Sequence, residues 1–205
     1  MPTLPRATRT LLILNVLVFL LQQATGDALL VDFALWPLGP SRYTDVPGFE
    51  PWQLFTYSFL HDGFPHIAFN MLGLWMFGGQ VEYGLGTRRY VSLYFACVLG
   101  AAVTQLATIA LLQPGAFYPT LGASGGIYGL LIAFAMLYPR ARIVPLYFPV
   151  PIPAPIAVVL FMVAELFYGV TGSEAGVAHF AHLGGAVVGF LVMLLWRGQG
   201  PRRFE

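Results

Sequence analysis

A chain of 205 residues with 58% hydrophobic and only 9% charged side chains lies far from the composition of a water-soluble domain, in which about a quarter of residues are charged. Its mean hydropathy is +0.73, and it contains no lysine, a net charge of +1 and no basic run. That balance excludes a nucleic-acid-binding role. The lone cysteine, Cys97, excludes an internal disulfide. The composition is that of an integral membrane protein of one domain, all-α and polytopic.

A membrane-spanning helix needs about 20 mostly apolar residues, and the chain offers six such stretches. The first covers 10–24, preceded by Arg6 and Arg9 and interrupted only by Asn15. No small-residue cleavage site follows it, so it reads as a retained span. A semi-polar connection, 25–63, holds Trp36, Tyr43, Trp52 and Tyr57, aromatics suited to a membrane–water interface. Spans are predicted at 64–81, 90–112 and 124–138, with a Gly84–Arg89 turn and a Pro114-Gly115 break between them. Prolines 145, 149, 151, 153 and 155 mark a connector, because so many cannot sit inside one helix. The last two spans are 154–170 and 177–196. In this scheme Arg6, Arg9, Arg88, Arg89, Arg140, Arg142, Arg197, Arg202 and Arg203 share one side, and only Arg42 falls on the other. The positive-inside rule then puts both termini in the cytoplasm, and the expected location is a plasma (inner) membrane.

Polar residues recur at one depth. Spans two, four and six run inward from the outer side, and each carries polar groups within roughly 10 Å of its start. Span two has His66 and Asn70, one turn apart on one face. Span four opens with Ser124 and has Tyr128 at the same spacing. Span six has His179 and His182. Such groups are costly in a bilayer and face a bundle interior or a wet cavity.

Residue types suggest the chemistry. A serine needs a base to become a nucleophile, and His182 is the candidate. The Gly185-x-x-x-Gly189 face is suited to close helix packing. Pressed against Gly125, Gly126 and Gly129 of span four, it would bring His182 to Ser124. The Ser124 N–H, His66 and Asn70 are candidate donors to a tetrahedral oxyanion. Tyr128 would pack on the imidazole and hold it. No acidic residue reads as close enough to complete a triad, so a Ser/His dyad is expected, with neither metal nor cofactor. His179 is assigned to structural hydrogen bonding and His61, in Phe59-Leu60-His61-Asp62-Gly63, to a turn or lid. Glu165 is assigned to a wet cavity or the outer surface, and Glu82 to a structural hydrogen-bond centre.

The ordered set resembles the rhomboid family of intramembrane serine proteases. Its pieces are Pro51-Trp52-x-Leu54-x-Thr56, Phe59-Leu60-His61-x-Gly63-x-x-His66-x-x-x-Asn70-Met71, Gly78–Gly86 with Glu82, Gly122-Ala123-Ser124-Gly125 with Tyr128, and Ala181-His182-x-x-Gly185-x-x-x-Gly189. The resemblance implies a minimal six-transmembrane-helix rhomboid-like bundle over 1–205, with Ser124 as nucleophile and His182 as base. It implies His66, Asn70 and the Ser124 N–H as oxyanion hole, with Tyr128, Gly122, Gly125 and Gly185 in support. The implied partners are the lipid bilayer and a membrane-protein substrate whose transmembrane helix is cut. Span five would be a lateral gate and the 171–176 loop a cap. One departure is that Arg42 follows Ser41, where the family often has a Trp-Arg pair. No appended soluble domain is expected.

Three other functions compete with this one. A catalytically inactive, client-binding rhomboid-like protein would lack the serine or the histidine, and both are present. A transporter would place its polar residues near the midplane within an internal repeat; none is visible. A metalloprotease would need a carboxylate beside His179-x-x-His182, and none is expected at that depth.

Overall fold

The computed structural model describes residues 3–39, 48–145, 149–172 and 178–197. Within them the chain is a bundle of helices. Four are long and apolar enough to cross a membrane: α1 (Arg6–Thr25), α6 (Thr87–Leu112), α8 (Ala154–Thr171) and α9 (His179–Arg197). A shorter apolar helix, α7, runs Ser124–Leu137. Another continuous helical stretch comprises α4 (Gly63–Gly73), a wide π-turn segment (Leu74–Gly78) and α5 (Gly79–Leu85). The short helices α2 (Ala28–Phe33) and α3 (Gln53–Thr56) lie in the long first connection. The expectations for Ser41-Arg42, and for most of the 171–176 cap, fall outside the described residues.

Helix α6 is the centre. Tyr90, Leu93, Tyr94, Cys97, Val98, Ala101 and Ala102 are all 0% exposed, which a lipid-facing helix would not show. It packs on α7 and α9, and those two also pack on each other. Helix α8 stands at the edge against α7 and α9, with Ile156, Val159, Leu160, Val163, Phe167 and Val170 exposed on its outer face. An apolar groove of about 580 Å³ opens between α7, α8 and α9, lined among others by Ile132, Met136, Val158, Met162, Leu183 and Phe190.

Small residues set the closeness of α7 and α9. A Cβ at Gly185 would lie 2.0 Å from the Gly125 carbonyl oxygen, and one at Gly189 2.8 Å from the Gly129 Cα. No side chain separates the helices there, as the small-xxx-small pattern anticipates. Gly126 was expected on this same seam. It instead faces α6, where its Cβ would meet the Tyr94 ring at 2.6 Å. Gly125 and Gly129 border α6 as well, where a Cβ at the first would meet Ala101 and one at the second Cys97, so all three glycines let α7 lie close to α6.

The other end of the bundle is tied by Glu82. Its carboxylate accepts the Ala7 N–H (3.0 Å), the Thr8 N–H (2.7 Å), the Thr8 hydroxyl (2.8 Å) and the Thr87 hydroxyl (2.8 Å). It thus caps the first turn of α1, whose N–H groups have no helical partner. At the far end of α1, Gln22 donates to the His61 carbonyl (2.9 Å) and accepts the His61 N–H (3.1 Å). The proline-rich connector does more than connect. Arg142-Ile143 (β1) and Ile152-Pro153 (β2) form a two-residue antiparallel ladder, Arg142 opposite Pro153. Proline is tolerated on such an edge, and α8 starts directly from it, with Pro155 in its first turn.

Candidate active site

Ser124 is the first residue of α7. The segment leading to it is held from the first connection. Leu35 and Thr120 exchange backbone hydrogen bonds at 3.0 and 2.9 Å, and the Gly122 N–H donates to the Tyr57 carbonyl at 3.0 Å. The Tyr57 hydroxyl in turn donates to the Val98 carbonyl of α6 at 2.8 Å. Gly122 adopts φ +118, a region that side chains with a Cβ avoid. Because Ser124 begins a helix, the N–H groups of the first turn have no intrahelical acceptor and point outward at its positive end.

His182, in the first turn of α9, meets this serine. Its Nε2 lies 2.7 Å from the Ser124 Oγ. The Tyr128 ring, one turn along α7, stacks on the imidazole with centroids 4.5 Å apart and planes 10° from parallel. A third wall comes from α4. His66 Nδ1 accepts the Asp62 N–H at 3.2 Å. In a neutral imidazole that assigns the remaining proton to Nε2, and it is Nε2 that lies against Gly122, 2.7 Å from where a Cβ would stand. Asn70 Nδ2 borders the same glycine at 3.6 Å. It is buried and has no hydrogen-bond partner. Two donors, one of them unused, therefore face the backbone beside Ser124.

Of the two placements expected for Glu165, a wet cavity or the outer surface, the structure rules out the second. Far from the outer surface, it is 9% exposed on α8 and points into the bundle. One carboxylate oxygen accepts the Tyr128 hydroxyl. The other accepts His179 Nδ1–H at 2.7 Å and lies 3.0 Å from His182 Nδ1. That last contact is short but off the line of a full hydrogen bond, since His182 Nδ1 has no partner of good geometry. Hence the expectation that no acidic residue approaches the dyad is wrong. The azimuth of α8 decides this, and a lone carboxylate on an otherwise apolar helix marks an inward side but not which side chains it meets there. A depth count was the usable signal. Glu165 lies six residues before Thr171, so about 9 Å below that end of α8 at 1.5 Å per residue, the depth already assigned to Ser124 and His182.

The same finding removes one argument against metal binding. Glu165, His179 and His182 offer ligand atoms all within 4.8 Å of one another, a carboxylate and two imidazoles such as zinc takes. His179 fills its expected structural role through Glu165. His61 lies in the connection before α4, as expected of a turn residue, but it is no lid. It is 0% exposed and packs edge-on against His66, centroids 5.1 Å apart. Burial, with the nearby His66 as second cause, pushes its pKa down to about 4. The Gln22 clasp on its backbone draws the loop inward beneath α1, which explains the burial.

A family model described as a rhomboid domain matches residues 48–199. Rhomboid protein 1, mitochondrial, of Saccharomyces cerevisiae is 34% identical over 137 residues, 65% of this chain and 38% of that protein. RHOMBOID-like protein 12, mitochondrial, of Arabidopsis thaliana is 34% identical over 66% of this chain and 43% of its own length. The rhomboid protease GlpG of Yersinia pestis is 28% identical over 196 residues, covering 96% of this chain and 64% of that protein. The chain thus spans between 38% and 64% of the length of these relatives. With the matched domain covering most of its length and its helices packed as a membrane bundle, this chain belongs to the rhomboid family.

Proposed function

We propose that the protein is an intramembrane serine endopeptidase, a six-span domain that cuts transmembrane segments of membrane proteins with a Ser124/His182 pair. The observation that carries the reading is the 2.7 Å approach of His182 Nε2 to the Ser124 Oγ at the start of α7. As the Ser124 oxygen attacks the scissile carbonyl, its proton passes to His182 Nε2 and a C–O bond forms. The resulting oxyanion takes hydrogen bonds from the Ser124 N–H, Asn70 Nδ2 and His66 Nε2. The C–N bond then breaks as His182 returns the proton to the leaving nitrogen. Water attacks the acyl-enzyme, giving its own proton to His182, which passes it back to Ser124. Tyr128 keeps the imidazole in plane through these transfers. The arginine distribution supports both termini on the cytoplasmic side, with a plasma membrane as the location under this reading. The presence of serine and histidine together argues against the inactive, client-binding alternative.

The test is reaction of the detergent-solubilised protein with a fluorophosphonate, read by mass spectrometry of the labelled peptide. Ser124 is expected to be labelled, and neither Ser124→Ala nor His182→Ala should react or cleave a model transmembrane substrate. Full cleavage by Ser124→Ala would refute the nucleophile assignment. The Glu165–His179–His182 set favours one second reading, a metal-dependent hydrolase. A chelator arm decides it, because the serine mechanism retains activity in the chelator and the metal mechanism loses it.

A further inference from the structure

We propose that Glu165 is a positioning residue for His182, so that the active centre works as a Ser124–His182–Glu165 triad with its acidic member on α8. The inference rests on the serine-protease reading above and deepens it.

The argument starts from the tautomer. A neutral imidazole has one N–H and one bare nitrogen. For His182 to accept the Ser124 proton, Nε2 must be bare and Nδ1 must carry the hydrogen. The Glu165 carboxylate oxygen 3.0 Å from Nδ1 favours that arrangement, since an ionised carboxylate only accepts. With the proton on Nε2 instead, two lone-pair-bearing atoms would face each other in a buried site. The carboxylate also offsets the imidazolium that forms when Ser124 gives up its proton, as the Asp of a soluble triad does. It remains ionised throughout, and the proton shuttles only between Ser124, His182 and the leaving nitrogen.

The remaining contacts of Glu165 aim it. Its other oxygen accepts the Tyr128 hydroxyl, and its nearer oxygen accepts His179 Nδ1–H at 2.7 Å. Tyr128 thereby touches both the ring face of His182 and the carboxylate beside its edge. The imperfect line of the His182–Glu165 contact fits a free enzyme, in which such bonds are often poorly aligned and tighten around substrate. A bland role for Glu165, merely satisfying His179, does not require an oxygen at 3.0 Å from the base. Since α8 is the edge helix, its placement sets whether the base is correctly oriented. Serine activation is therefore coupled to the position of α8.

The experiment compares wild type, Glu165→Gln, Glu165→Asp and Ser124→Ala in cleavage of a model transmembrane substrate, with thermal midpoints measured alongside. Glu165→Gln is expected to lower kcat by about 100-fold or more with KM within about 2-fold, short of the ~10⁴-fold that the corresponding Asp→Asn change costs a soluble triad. Glu165→Asp, which keeps the charge, should recover part of that loss. Wild-type kcat in Glu165→Gln overturns the proposal. So does equal loss in Gln and Asp variants that tracks the thermal midpoint, because that pattern belongs to a structural hydrogen bond. A second measurement needs no variant at this position: ¹⁵N-histidine NMR of the wild-type protein in micelles should find the His182 proton on Nδ1. The proton on Nε2 overturns the proposal. Activity surviving in Ser124→Ala would instead sink the underlying serine mechanism, so the two failures are separable.

Discussion

Replacing Gly185 by alanine tests the idea that small residues set the working distance between serine and base. A Cβ there would lie 2.0 Å from the Gly125 carbonyl oxygen, 2.8 Å from its carbonyl carbon and 3.2 Å from its Cα. All three are backbone atoms, so no side chain can swing aside. Reaching even the 3.0 Å that real Cβ contacts respect requires α9 to retreat from α7 by about 1 Å. Gly125 adjoins Ser124, and Gly185 is one turn from His182, so the retreat acts directly on the contact between those two side chains. Their 2.7 Å contact would open to about 3.7 Å, beyond hydrogen-bond reach. The energetic cost of such overpacking is about 1–3 kcal/mol, which leaves the protein inserted and folded. The expected result is a normal yield in detergent, a modestly lower thermal midpoint and loss of most fluorophosphonate labelling at Ser124. Wild-type labelling by Gly185→Ala would refute the reasoning, because it would mean that the serine and histidine do not depend on this seam.

Two further outcomes follow from the geometry. Asn70→Ala removes the unpartnered buried donor beside Gly122 and is expected to lower kcat by about 10²–10³-fold, the cost of losing one oxyanion donor, with little change in KM; unchanged turnover would remove Asn70 from that role. The depressed pKa of buried His61 means that the unfolded chain binds more protons between about pH 6.5 and 4, so folding stability falls as pH drops through that window. The contribution is about 3 kcal/mol across the window. A pH series of thermal midpoints should show a flatter acid side in His61→Gln than in wild type, and identical slopes would refute the assignment.

Much of this architecture was legible because lipid makes polar residues conspicuous. Ser124, His182, His66 and Asn70 stood out as expensive groups at equal depth, and the structure brings them around one backbone corner. The Gly185–Gly189 face announced itself by spacing alone. What could not be read was which neighbours a helix face meets. Glu165 is a lone carboxylate on an otherwise apolar helix, which marks an inward side but not which side chains it meets there, and glycine spacing likewise did not show that Gly126 packs on Tyr94 of α6. The supports supplied by Leu35, Tyr57 and Gln22 were equally hidden. They act through backbone groups across 39 or more residues of separation, and such pairings leave no periodic trace.

The two clasps on α1 have a mechanical consequence. Thr8 is fixed to Glu82 and Gln22 to the backbone of His61, while Leu14, Leu17, Leu20 and Leu21 between them face outward. Fourteen helical steps separate the clasped residues, a span of about 21 Å. The 14 residues of α7 have the same length. A bilayer's hydrocarbon core is about 30 Å thick. α1 as a whole has 20 residues, about 30 Å, so it matches that thickness and the two clasps grip it near its ends. The helix is thereby held as a strut, and its tilt cannot change without breaking the clasp at Glu82 or the one at His61.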